Sequence, residues 1–183
     1  MGSFIVRESL EENLIEIGKK APDFILKNEK GENWKLSGQL GSVTVLLFYP
    51  KNETLVCTKQ LCSVRDHWET YLETKASVVG VSPATSEEHD EFGKKYKLPL
   101  PLLADTNRQI TSIFGKHWFY PIQFTRAVVV VDAKGIIRNR KIMLRAFRPT
   151  DQSVIKAIHE ARGDALFEKY ENIKKGFWKQ RKS

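Results

Sequence analysis

The sequence predicts an α/β fold: a mixed central β-sheet flanked by helices, with an N-terminal β-hairpin. Three observations carry this expectation. VTVLLFY at 43–49 and SVVGVS at 77–82 are short apolar runs rich in β-branched residues, the look of strands covered on both faces. Stretches with helical spacing of apolar residues alternate with them. Two late strands, joined by the turn DAKG at 132–135, form an antiparallel pair. Alternation first and a hairpin later imply a sheet of mixed direction with helices on both sides.

The elements follow in order. APDFILKNEKGENWKL alternates apolar and polar residues around a polar turn, giving strands near 23–27 and 33–36. A central strand occupies 43–49. From Thr58 to about Thr74 the residues Leu61, Val64, Arg65, Trp68, Tyr71 and Leu72 fall on or beside one stripe, which predicts a single helix. A second buried strand spans 77–82. SEEHDEFGKKYKL then reads as a helix with Ser86 as N-cap, ending before Pro99. RQITSIFG is a shorter helix closed by Gly115. RAVVVVDAKGIIRNRKIML supplies the two late strands. TDQSVIKAIHEA opens the last core helix, and a further helical run leads toward Trp178.

A chain of 183 residues suits one packed domain with extensions. No apolar run approaches the roughly 18 residues needed to span a bilayer, so no membrane role is expected. The first residues are interleaved with Glu and lack a basic stretch followed by an apolar one, so they do not read as a secretory signal and a cytoplasmic location is expected. The formal net charge of +8 invites a nucleic-acid reading, but the helical segments carry both signs. The excess gathers at the end, at Lys174, Lys175, Lys179, Arg181 and Lys182, and a solvated tail is the preferred reading over an anion-docking site. The aromatic run HWFYPIQF at 117–124 is read as ordinary packing in preference to a substrate or partner face. His67, His89, His117 and His159 are scattered without metal-ligand spacing and are expected to be surface or half-buried residues, so no metal is called for.

Both cysteines lie in FYPKNETLVCTKQLC, residues 48–62, at a strand-to-helix transition of the kind where sites collect in α/β sheets. Cys57 precedes the helix or occupies its first turn, where unpartnered backbone N–H groups and the helix dipole favour a thiolate. The thiolate is the nucleophilic form of sulfur. Two residues five apart on a helix have Cα atoms about 8–9 Å apart, whereas a disulfide needs less than about 7 Å. A Cys57–Cys62 bond therefore requires the start of the helix to unwind. A permanent staple is disfavoured; a transient disulfide, a redox sensor and two core cysteines all remain open. Thr54 can supply a hydroxyl, and Arg126 a permanent positive charge if it lies alongside.

The residues also carry a resemblance. Pro50, Thr54 and Cys57 reproduce the P-x-x-x-T-x-x-C signature of peroxiredoxins, thiol peroxidases built on a thioredoxin-like fold. CTKQLCSVRD is similar to the C-T-x-E-x-C-x-x-R-D segment of the peroxiredoxin Q group, the bacterioferritin comigratory proteins, and similarity in the expected order runs over about residues 16–147. Three residues depart from the group: Leu55 and Val56 stand where Pro-Gly is usual, and Gln60 where Glu is more frequent. The resemblance implies that Cys57 is the peroxidatic cysteine and Cys62 the resolving one. It implies that Thr54 bonds peroxide and thiolate, Pro50 shields the sulfur, and Arg126 stabilises the thiolate and polarises the peroxide. It further implies a peroxide substrate, a thioredoxin-type reductant, no metal, haem or flavin cofactor, and a monomer or homodimer. The expected organisation is a thioredoxin-like domain over residues 4–161 and a basic helical extension over 162–183. The competing expectation is a redox sensor of the same fold whose basic tail engages a partner.

Overall fold

The computed structural model describes residues 15–52, 54–115, 125–144 and 146–163. The aromatic run at 117–124, the basic tail and the helical run toward Trp178 lie outside the described residues. Seven strands, β1 (Ile25–Lys27), β2 (Asn33–Lys35), β3 (Thr44–Phe48), β4 (Ser77–Ser82), β5 (Leu102–Ala104), β6 (Thr125–Val131) and β7 (Ile137–Leu144), form one sheet in the order β2-β1-β5-β4-β3-β6-β7. β3, β4 and β5 run parallel, while β6 pairs antiparallel with β3 and β7 with β6. The N-terminal hairpin of β1 and β2 joins through β5. The helices are α1 (Leu55–Asp66), α2 (Trp68–Glu73), α3 (Ser86–Tyr96), α4 (Gln109–Gly115) and α5 (Asp151–Arg162).

Strand geometry divides the core in two. Successive side chains point to opposite faces, so Val45, Leu47 and Tyr49 join Leu61, Val64, Tyr71, Phe92 and Ile158 on one side. Leu46 and Phe48 join Phe24, Val79, Leu103 and Phe114 on the other. Every residue of β3 is buried, which explains its lack of alternation in the sequence. Each such apolar side chain stabilises the fold by about 1.5–3 kcal/mol relative to exposure. Gly80 lets the layers close up. A Cβ there would stand 2.8 Å from Leu102 Cδ2 and 3.2 Å from Tyr49 Cε1.

Four expectations change. The single helix from Thr58 to Thr74 starts earlier, at Leu55, and is broken at His67, whose φ of −110° and ψ of 20° leave the helical region. The His67 imidazole, with Nδ1 2.9 Å from the Ser63 carbonyl, covers the end of α1. The break turns Leu72 out to solvent, while Tyr71 remains buried. Helix α3 is capped by Thr85 rather than Ser86: the Thr85 hydroxyl accepts from the Glu88 N–H, and the Glu88 carboxylate accepts from the Thr85 N–H. β5 went unforeseen because three residues directly after Pro101 carry no periodic signal; pairing with β4 and β1 creates it. His89, expected at the surface or half-buried, is fully buried.

Candidate active site

The site lies where β3 ends and α1 begins. Thr54 takes an extended conformation, and its side chain caps α1 by accepting from the Cys57 N–H at 3.3 Å. Accepting that bond leaves the hydroxyl proton available to a second oxygen or sulfur. Cys57 is the third residue of α1 and is fully buried, packed into the core with Leu61 and Tyr49. Pro50 follows Tyr49 in the connecting loop and is half-buried.

Strand alternation delivers the arginine. On β6, Val128 and Val130 face the α1 side of the sheet, and Arg126 shares their parity. It also precedes Ala127, the partner of Phe48, so it stands level with the end of β3. Arg126 Nη2 donates to Cys57 Sγ at 3.2 Å, and Nη1 donates to Gln60 Oε1. The guanidinium is 1% exposed. A permanent positive charge held against a sulfur in a dry site stabilises negative charge on that atom more strongly than the same pair would in water. The planar fork lets one residue hold Cys57 and, one turn along α1, Gln60.

A partly buried polar network fixes the loop that carries Pro50 and Thr54. The Tyr49 hydroxyl donates to Asn52 Oδ1 at 3.0 Å. The Asn52 amide donates to the Glu88 carbonyl at 3.3 Å and lies 3.4 Å from His89 Nδ1. His89 Nε2 is 3.1 Å from the Leu103 carbonyl, which assigns its proton to Nε2 and leaves Nδ1 as acceptor. Burial is the main cause that pushes the His89 pKa below its ordinary value, against the opposing pull of the Leu103 and Ser82 bonds. Burial likewise drives the Tyr49 phenol upward, so it stays a proton donor. Asn52 and His89 escaped the sequence reading. Their one signal was a histidine three residues before Phe92 on the buried stripe of α3.

The structure thus brings Thr54, Cys57, Gln60 and Arg126 together. Cys62 sits farther along the same helix, half-buried, and both cysteines are unbridged. Among the described residues no group of three or more His, Cys, Asp or Glu side chains could hold a metal ion, and no helix is long and apolar enough to cross a membrane.

Comparison with known proteins agrees with this geometry. The AhpC/TSA family model matches residues 17–140. Peroxiredoxin Bcp of Bacillus subtilis (strain 168) is 45% identical over 130 residues, covering 66% of this chain and 81% of that protein. The chloroplastic peroxiredoxin Q of Sedum lineare is 38% identical over 126 residues, 66% of each chain. The crystal structure of peroxidoxin BcpB from Mycobacterium tuberculosis superimposes with a TM-score of 0.68 at 26% identity, over 82% of this chain and 98% of that one. A buried thiol at a helix start, faced by a guanidinium on a thioredoxin-type sheet, and relatives of this kind lead to one conclusion: the chain belongs to the AhpC/TSA family and is a peroxiredoxin, a thiol peroxidase similar to the Bcp and Q members.

Proposed function

We propose that Cys57 is the peroxidatic cysteine, that Cys62 resolves it within the same chain, and that a thioredoxin-type protein returns the pair to the dithiol. The observation that carries this reading is the Arg126 guanidinium 3.2 Å from the buried Cys57 sulfur. The Cys57 thiolate attacks the terminal oxygen of hydrogen peroxide or an organic hydroperoxide. The O–O bond breaks, the departing oxygen leaves as water or alcohol after taking a proton, and Cys57 becomes a sulfenic acid. Arg126 stabilises the attacking anion and the charge that develops on the peroxide. Thr54 aims its free hydroxyl proton at the same oxygens, Pro50 limits water, and Gln60 orients Arg126. Cys62 then displaces hydroxide from the sulfenic sulfur to give a disulfide and water.

The reading fits a reducing, cytoplasmic setting, where a close pair of cysteines is more often catalytic than structural. Its test is one equivalent of hydrogen peroxide followed by thiol trapping and mass spectrometry. A mass loss of two hydrogens in a peptide linking Cys57 and Cys62 is expected, with steady turnover when thioredoxin, its reductase and NADPH are supplied. Cys57→Ser should abolish peroxide consumption, and Cys62→Ser should stop after one oxidation. Oxidation without turnover would turn the protein into a sensor, and full activity in Cys57→Ser would end the proposal.

A further inference from the structure

Helix α1 is held differently at its two ends. Its first turn rests on the Thr54 cap and on the grip of Arg126 on Cys57 and Gln60, and Leu55 there is 80% exposed. Its last turn is tied to the rest of the molecule by a carboxylate and by an arginine. Asp151, the first residue of α5, accepts from the Ser63 hydroxyl at 2.5 Å and from the Tyr71 hydroxyl at 2.8 Å, and lies 3.5 Å from His67 Nδ1. The Asp151 side chain is 14% exposed and Tyr71 is buried, so water competes poorly for these bonds. Burial first, and the Asp151 charge second, hold the Tyr71 phenol above its ordinary range, so it remains a donor. Arg65 adds another tie, donating through Nη1 to the Tyr96 carbonyl at the end of α3 at 2.7 Å. The anchors begin at Ser63, the residue immediately after Cys62.

We propose that Asp151 is a positioning residue for disulfide formation. It pins α1 just beyond Cys62, so that unwinding of the first turn carries Cys57 to a stationary Cys62. The proposal rests on the roles given above to the two cysteines. In this step the Cys62 thiol loses its proton and attacks the sulfenic sulfur of Cys57. The S–O bond breaks, the S–S bond forms, and hydroxide leaves as water with that proton. Cys57 sulfur is reduced and Cys62 sulfur oxidised. A second peroxide competes for the same sulfenic acid, transferring one oxygen to give sulfinic acid and leaving as water. Outcome therefore depends on how often Cys62 sulfur meets Cys57 sulfur. An anchored Cys62 offers a high effective concentration, and one that frays with the rest of the helix offers less.

The experiment uses the full chain with Asp151→Ala, Ser63→Ala and Tyr71→Phe. Each is mixed rapidly with hydrogen peroxide, trapped at intervals and resolved by mass spectrometry into thiol, disulfide and sulfinic forms. Loss of the Cys57 thiol is expected to proceed at the wild-type rate in all three. Disulfide formation should slow about five- to tenfold in Asp151→Ala and by less in the single-bond variants, with sulfinic acid rising in step. Disulfide formation at the wild-type rate or faster, with the anchor removed, overturns the proposal. Should Asp151→Ala fail to fold, Ser63→Ala alone decides, since it removes one hydroxyl from a half-buried position. A wild-type protein that forms no Cys57–Cys62 bond sinks the cysteine roles and this proposal together; a wild type that forms it, with variants that match it, sinks only the assignment of Asp151.

Discussion

Replacing Arg126 with Gln removes the buried charge while leaving a shorter, uncharged amide in its place. At the observed 3.2 Å between Nη2 and Sγ, and an effective dielectric of about 20, Coulomb attraction to a thiolate is about 5 kcal/mol. The net loss is smaller than this, because part of the attraction is offset by the cost of desolvating the two charges. A loss of about 3–4 kcal/mol in transition-state stabilisation is expected, or about 150- to 1,000-fold in the second-order rate with peroxide. Arg126→Lys keeps the charge but cannot hold Gln60 and Cys57 at once as the fork does, and about a tenfold loss is expected. The assay is stopped-flow consumption of hydrogen peroxide at several pH values, with circular dichroism to establish folding. A folded Arg126→Gln protein within about threefold of wild type would refute the electrostatic role.

Three further outcomes follow from the same contacts. Thr54→Val removes the acceptor of the Cys57 N–H, and loss of a cap worth about 1 kcal/mol should lower the melting temperature by about 2–4 °C, with Thr54→Ser restoring most of it in calorimetry. Gly80→Ala drives a methyl into Leu102 and Tyr49 and should cost about 1–3 kcal/mol in urea denaturation; unchanged stability would show that the layers have slack. His89 has a folded pKa below its ordinary value of 6.5, so the unfolded chain binds the extra proton first as pH falls. Its contribution to stability is level above that value and declines below it. Urea midpoints measured between pH 7.5 and 5 should fall less steeply in His89→Gln than in wild type, and equal slopes would remove His89 as the cause.

The sequence alone was enough for the α/β class, the mixed sheet, the late hairpin and the placement of Cys57 at the start of a helix. All of these rest on local signals: runs of β-branched residues, turn dipeptides, and a Thr three residues before a Cys at a helix start. Sequence alone could nominate Arg126 only conditionally. Its arrival at the sulfur depends on β6 pairing antiparallel with β3 in the register that sets Ala127 against Phe48, and on the strand parity that turns residue 126 toward α1. The break at His67, the anchoring of α1 by Asp151 and the bonding of Asn52 to His89 are likewise tertiary. Each joins residues more than thirty positions apart or answers to such a contact. Chain chemistry within one turn of helix or one strand is written in neighbouring residues, whereas the meeting of distant side chains is decided only once sheet order and register bring their backbones side by side.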